Sequence, residues 1–348
     1  MSEGEKKRSG GKEEKHRHKP GGTPTPAGLV ARDYCLRFPR APTWQLARML
    51  RRDEPLLFKS VKAARRLVLY YRGASGHKDR GKAERGGRLV PRLELPEPAP
   101  SRFRFHKLPD EGYRWLVIAD LHIPFHSNEA IRLALDFAKA RSTRCDAVLI
   151  LGDFIDSYQL SHWLRDPRER RFSQEIEDAT TVLDVILQEL KPKAVIWKAG
   201  NHEYRHDRYL MQHAPEIFGI EEFSIPNYCD LERRGVEWVE RGHPIVYRNL
   251  LILHGDEYKG GATSPVNPAR TFYLRTHECT LAAHLHKTSE HTEQTARGVT
   301  ITCWSIGCLC DLHPEWSPLN KWNQGFAVLD TRDNWRIENY RIVEGEIV

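Results

Sequence analysis

Five short polar islands stand in order along the second half of the chain. They are Asp120-Leu-His122, Gly152-Asp153-Phe-Ile-Asp156, Gly200-Asn201-His202-Glu203, His254-Gly-Asp256 and His284-Leu-His286. Four of the five directly follow an apolar run. An α/β sheet delivers side chains from the carboxyl ends of its strands to one crevice in this way. The set holds enough Asp, Asn and His for two metal ions that share a bridging carboxylate, a centre suited to hydrolysing phosphate esters.

Taken singly, each island has an ordinary structural reading. An Asp-x-His pair at a strand end can satisfy itself, and Gly-Asp-x-x-Asp is common in turns. In Gly-Asn-His-Glu, glycine admits a close backbone approach, and Asn and His are both neutral ligands. His284 and His286 stand two apart, so on a regular strand they face opposite sides. Just past the strand end that rule relaxes. All five islands in this order, after these strands, are hard to explain by chance.

The alternation around them is that of a mixed fold. Apolar runs at 115–119, 147–151 and 194–197 read as strands. Amphipathic stretches at 128–141, from Ser173 to Leu190 and at 203–213 read as helices. Further strands follow at 250–253, 280–283, 299–303 and 326–329. The order β-α-β-α-β followed by strands predicts an α+β or α/β fold, a two-sheet sandwich flanked by helices. Residues 298–329 are expected to close the second sheet.

With 348 residues and a formal net charge of +7, the chain has room for one large domain and something smaller. The charge is lopsided. Residues 31–92 carry 17 Lys and Arg against 5 Asp and Glu, whereas residues 93–348 sum to −8. A basic front joined to an acidic, metal-binding half suggests a polyanion held by one part and cut by the other. Four segments follow: a basic tail over 1–26, too polar to fold; a helical module over 27–75; a basic linker over 76–112; and the catalytic domain over 113–348. Within the module, Thr43 is expected to cap one helix on which Trp44, Ala47 and Leu50 share a face. Ser60 caps a second over 61–71. Lys62, Arg65, Arg66 and Arg72 project from it, as in a helix-turn-helix that contacts DNA, although the connection at 53–59 is longer than the usual turn. The equal alternative is a basic hairpin packed on the catalytic domain. No run approaches the roughly 20 apolar residues of a membrane span, and no apolar segment follows the charged N-terminus. The seven scattered cysteines predict free thiols in a reducing, cytoplasmic setting.

The islands together resemble the calcineurin-like metallophosphoesterase superfamily, with its pattern D-x-H, G-D-x-x-D, G-N-H-[D/E], H and G-H-x-H. The resemblance covers about residues 113–330 and implies a β-sandwich flanked by helices in four layers. It further implies that Asp120, His122 and His286 hold one divalent metal ion, that Asn201, His254 and His284 hold a second, and that Asp153 bridges them. On that resemblance such a metal pair would lower the pKa of a shared water and so supply a hydroxide for in-line attack on phosphorus. His202 is then the general acid, with Asp156 fixing its charge and tautomer. Arg205 and Arg208 are candidates for gripping a phosphate oxygen. The chain departs at Ala283, where the family has Gly. It also lacks the Arg-Gly that follows G-D-x-x-D in the family's protein phosphatases and tetraphosphatases, since Ser157-Tyr158 stand there. That departure and the basic front favour a phosphodiesterase or nuclease acting on DNA or RNA, as in phage or bacterial DNA metabolism. Mn, Fe, Zn and Ni all suit the donors, Mn foremost. The alternatives are a phosphomonoesterase or small-nucleotide hydrolase, and a DNA-binding protein whose metal centre is vestigial.

Overall fold

The structure is a computed structural model that describes residues 24–73, 97–258 and 265–348 apart from positions 102 and 316. Most of the tail read over 1–26 and of the linker read over 76–112 lies outside the described residues. The chain divides into two compact units, residues 1–100 and residues 101–348.

Among its described residues the first unit has three helices where two were expected: α1 (Pro26–Arg37), α2 (Thr43–Asp53) and α3 (Val61–Tyr71). Thr25 caps α1, its hydroxyl accepting the Gly28 amide at 3.2 Å, with Pro26 in the first turn. Ser60 caps α3 as expected, through the Ala63 amide. Thr43, in contrast, is already helical, and Pro42 occupies the cap position with no side-chain bond. Ala31, Leu46, Leu50, Phe58, Ala64, Val68 and Tyr71 form the core. Trp44 is not part of it. It is half-exposed, and the Arg65 guanidinium lies over its ring at 4.6 Å.

In the second unit, β2 (Arg114–Ile118), β3 (Ala147–Leu151), β4 (Ala194–Lys198) and β5 (Val236–Val239) run parallel. β11 (Gln324–Asp330), β12 (Arg336–Val343) and β13 (Glu346–Ile347) extend the sheet antiparallel, giving seven strands in the order β13-β12-β11-β2-β3-β4-β5. The other sheet has six strands: β1 (His106–Lys107), β6 (Ile245–Tyr247), β7 (Leu250–Leu253), β8 (Cys279–Ala282), β10 (Thr300–Ser305) and β9 (Ser289–Gln294). Residues 106–107, read as linker, therefore belong to a sheet. Residues 298–329 do not close one sheet. They supply β10 to the six-stranded sheet and β11 to the seven-stranded one, because the buried run Ala327–Asp330 pairs with β2 in the sheet centre.

Strand alternation explains the layers. Trp115, Val117, Leu149, Leu151 and Ile196 point from the larger sheet toward Ile252, Leu253 and Leu281 of the smaller. Leu116, Ile118, Val148 and Ile150 point the other way, against Ala134, Leu135, Leu183 and Ile186 of α4 (Asn128–Lys139) and α5 (Phe172–Leu190). α5 begins at Phe172, not after a Ser173 cap, where the Gln174 side chain accepts the Arg171 amide at 2.9 Å. α6 (Glu203–His213) follows β4 after four residues, and α8 (Pro268–Thr276) packs on the six-stranded sheet, its Ala269 and Phe272 in the inter-sheet core. α7 (Ile225–Tyr228) is a single turn. The mixed two-sheet fold with flanking helices is the one expected.

Candidate metal centre

The five islands follow β2, β3, β4, β7 and β8, and their side chains converge. Asp120 and His122 follow β2; Asp153 and Asp156 follow β3; Asn201 and His202 stand between β4 and α6; His254 directly follows β7; His284 and His286 follow β8. Asp120, His122, His286, Asp153, Asp156 and His254 are buried.

Five of these residues have a left-handed backbone. Asp120, His122, Asp153, His284 and His286 have φ between 49° and 69°. This region costs a non-glycine residue roughly 1–3 kcal/mol, and such strain collects at functional sites. It is also how His284 and His286, two apart, both turn inward. Loop-to-loop hydrogen bonds hold the distortion: Asp120 N–H to Gly152 O (3.0 Å), His122 N–H to Asp153 O (2.9 Å) and His284 N–H to Asp120 Oδ2 (2.9 Å). The two motif glycines leave the room. A Cβ on Gly152 would lie 2.2 Å from His254 Nδ1, and one on Gly200 would lie 2.3 Å from Asp153 Oδ1. Ala283 keeps a negative φ and is fully buried, so its methyl is accommodated without strain.

Two donor sets adjoin. In one, the ligating atoms of Asp120, His122 and His286 lie within 4.8 Å of one another; in the other, those of Asp153, His254 and His284 do. His122 Nε2 and His286 Nε2 are 3.1 Å apart, close to the spacing of two nitrogen ligands each about 2 Å from one cation. Asp153 Oδ2 lies between the sets, 3.2 Å from His254 Nε2 and 3.9 Å from His122 Nε2. Asn201 Oδ1 is 3.3 Å from His254 Nε2. Asp120 Oδ1 and His284 Nδ1 are buried with no hydrogen-bond partner among the described residues. Oxygen and imidazole donors of this kind, converging and unsatisfied, fit divalent cations.

Electrostatics tie the carboxylates to the imidazoles around them. Burial would raise Asp153, yet the His254 and His202 imidazoles hold its carboxyl well below the usual range. Burial would lower His286, yet the Asp120 carboxylate lifts it to about 9. His284, buried and beside His254, is pushed down to about 4.

A second layer orients the first. His254 Nδ1 donates to Leu151 O at 2.8 Å, which leaves Nε2 as the inward lone pair. Asp156 Oδ1 lies 2.9 Å from both His122 Nδ1 and His202 Nδ1. Burial acts to raise Asp156, but the two imidazoles hold it far below the carboxylate range. Arg205 donates from Nη1 to Asp156 Oδ2 and reaches His202 Nε2 with Nη2, both at 3.0 Å. Arg208, one turn along α6, does not line the crevice, and its buried Nη2 has no hydrogen-bond partner among the described residues.

Several roles escaped the sequence reading. The Glu203 carboxylate accepts the amides of Asp153, Phe154, Ile155 and Gly200 and so ties two islands together. Trp163 and Trp322 line the crevice from loops that carry no periodic signal. Cys308 and Cys310, read with Cys303 as unpaired thiols, place their sulfurs beside a His286 ring nitrogen, while Cys303 bonds to Glu278 O elsewhere. All seven cysteines are free and buried.

Fold and site define a metal-dependent phosphoric ester hydrolase. The calcineurin-like phosphoesterase family model matches residues 113–287, half of the chain, and the chain belongs to that family. Among solved structures, a nuclease from Pseudomonas putida, nuclease MPE, is similar at 13% identity with a TM-score of 0.30, over 65% of this chain and 86% of that one. No curated protein matches the chain. Among the described residues, no helix is long and apolar enough to cross a membrane.

Proposed function

We propose that the crevice is a two-cation centre that hydrolyses the phosphodiester bonds of a nucleic acid. The observation that carries this reading is the position of Asp153 between two donor sets built on strained backbone. Asp120, His122 and His286 would hold one cation, and Asn201, His254 and His284 the other, with Asp153 shared and Mn²⁺ the favoured metal. Such a pair supplies an activated water and offsets charge on the phosphoryl oxygens.

The chain's own groups do the rest. Asp156 fixes the rings of His122 and His202 through their Nδ1 atoms. His202 presents Nε2 toward the crevice as proton donor to the leaving oxygen. In the geometry described, Arg205 Nη2 donates to that Nε2, so the ring proton sits on Nδ1. When Nε2 is protonated, two donors face each other and Arg205 must turn away. A non-bridging phosphate oxygen is the acceptor that takes it. Arg205 thereby stands in for the arginine missing after Asp156.

Lys62 and Arg66 are exposed on α3 and support phosphate contact by the helical unit. Arg65 and Arg72 are committed within it, Arg65 over Trp44 and Arg72 to the Phe38 carbonyl at 2.9 Å. The test is turnover with Mn²⁺ of a phosphomonoester, a bis-aryl phosphodiester, DNA and RNA. Diesters and nucleic acid are expected to be cleaved faster than the monoester; the reverse order would make the protein a monoesterase. K62E/R66E is expected to lower DNA affinity and flatten its salt dependence by about one to two units of log–log slope. An unchanged slope removes the helical unit from the reading.

A further inference from the structure

The crevice is a cavity of about 250 Å³, and part of its lining has no place in the hydrolytic chemistry. Phe125, Trp163 and Trp322 line it together with the candidate ligands His122, Asp153, His284 and His286. Trp163 is 70% exposed and the next residue, Leu164, fully exposed. The loop that carries them is tied down from behind. Tyr158 Oη accepts the Asp166 amide at 3.0 Å, Gln159 Nε2 donates to the carbonyls of Asp166 (3.0 Å) and Glu169 (3.4 Å), and Ser161 Oγ accepts the Trp163 amide at 3.2 Å. The backbone beside the indole is thus pinned, and the His162 ring lies tilted against it with centroids 4.5 Å apart. Trp322 lies edge-on to His286, ring centroids 4.3 Å apart, with its own amide bonded to Asn320 Oδ1 at 2.9 Å. The Trp163 loop also carries Arg165, whose Nη1 donates to the Gln159 carbonyl.

A large aromatic face exposed to water in the lining of a phosphoryl site is the chemistry that grips a base. Within a duplex both faces of a base are covered by its neighbours. The face becomes available only in a single strand, at an end, or after the base leaves the stack. Resting on the nucleic-acid reading above, we propose that Trp163 and Trp322 form a stacking site for an unpaired nucleobase next to the scissile phosphate, so that the substrate is taken as a single strand. Trp163 supplies the accessible face and Trp322 the inner wall against His286. Sugar phosphates and phosphoserine proteins would leave this wall unused.

The experiment compares wild type, W163A and W163F, full-length and with Mn²⁺, on a thymidine octamer, the same octamer with abasic residues, its duplex, and a phosphotyrosine peptide. Trp163 touches no candidate ligand in any bond described above, and circular dichroism checks that each variant folds. Wild type is expected to show a KM for the octamer roughly tenfold below that for the abasic strand, and to prefer single strand to duplex. W163A is expected to raise the octamer KM roughly tenfold and leave the abasic KM unchanged, with W163F restoring most of the difference. Equal effects on both strands, or no effect on either, overturn the stacking site while leaving the nuclease reading intact. A phosphotyrosine peptide turned over faster than any oligonucleotide, with that preference lost in W163A, assigns the wall to an aryl ester and overturns the proposal. Hydrolysis of a bis-aryl phosphate with no cleavage of DNA or RNA by wild type overturns the nuclease reading itself, and the stacking site with it.

Discussion

The Glu203 carboxylate accepts the Phe154 amide at 2.7 Å, joining the start of α6 to the loop after β3. The same carboxylate takes the amides of Asp153 at 3.0 Å, Ile155 at 3.2 Å and Gly200 at 2.8 Å. One buried anion thus replaces water for four N–H groups that no strand partner satisfies. E203Q swaps one oxygen for an NH₂ that faces N–H donors. It is expected to lose about 3 kcal/mol or more in urea unfolding, since a bond to a charged group contributes roughly 1.5–3 kcal/mol and an unsatisfied buried donor adds to the loss. An unchanged midpoint would show that the carboxylate does not hold the loops.

Cation binding should be visible as stability. The donors converge only in the folded chain, so a cation at a hundred times its dissociation constant adds about 2.7 kcal/mol. Mn²⁺ or Zn²⁺ is expected to raise Tm over protein treated with a chelator. D153N, which weakens the ligand placed between the two sets, is expected to lose most of that rise. A Tm indifferent to metal in wild type would contradict the two-cation reading.

The proton donor can be separated from the rest by the leaving group. An alkoxide needs a proton and p-nitrophenolate does not. H202N is expected to slow cleavage of a dinucleotide by about 10²–10⁴-fold. Loss on a bis(p-nitrophenyl) ester should be much smaller. Equal losses on both would place His202 in binding and not in proton transfer.

Glu175 gives a pH dependence. Its side chain is buried in α5 and meets the Tyr158 amide at 3.1 Å. Burial, and then the nearby Asp156 carboxylate, push it up from 4.5 to about 8. The folded chain then holds a proton that the unfolded chain has released, so stability falls as pH rises from about 4.5 to about 8. E175Q removes the titrating group. Its Tm is expected to vary less with pH across that window than that of wild type, and parallel curves would refute the assignment.

What the sequence made legible were segments whose burial is written in composition. Ala147–Leu151 and Leu250–Leu253 are unbroken apolar runs buried throughout, and both were read to the residue. The helix Glu203–His213 was read equally well. β9 was missed because Ser289–Gln294 is a polar edge strand, paired only with β10. α1 was missed although its Thr25-Pro26 start carries a cap signal. The convergence of the islands could be expected from strand order, but the left-handed turns that aim His284 and His286 inward could not. Neither could the four amides on Glu203 or the tryptophans of the crevice, since each depends on chain segments far apart in sequence.

The five left-handed residues make this site precarious over evolutionary time. Glycine at His122 or His286 would relax the backbone while removing a side chain the chemistry needs. Drift toward a sturdier fold and drift toward inactivity therefore run in the same direction, and only continued demand for the reaction keeps these positions as they are.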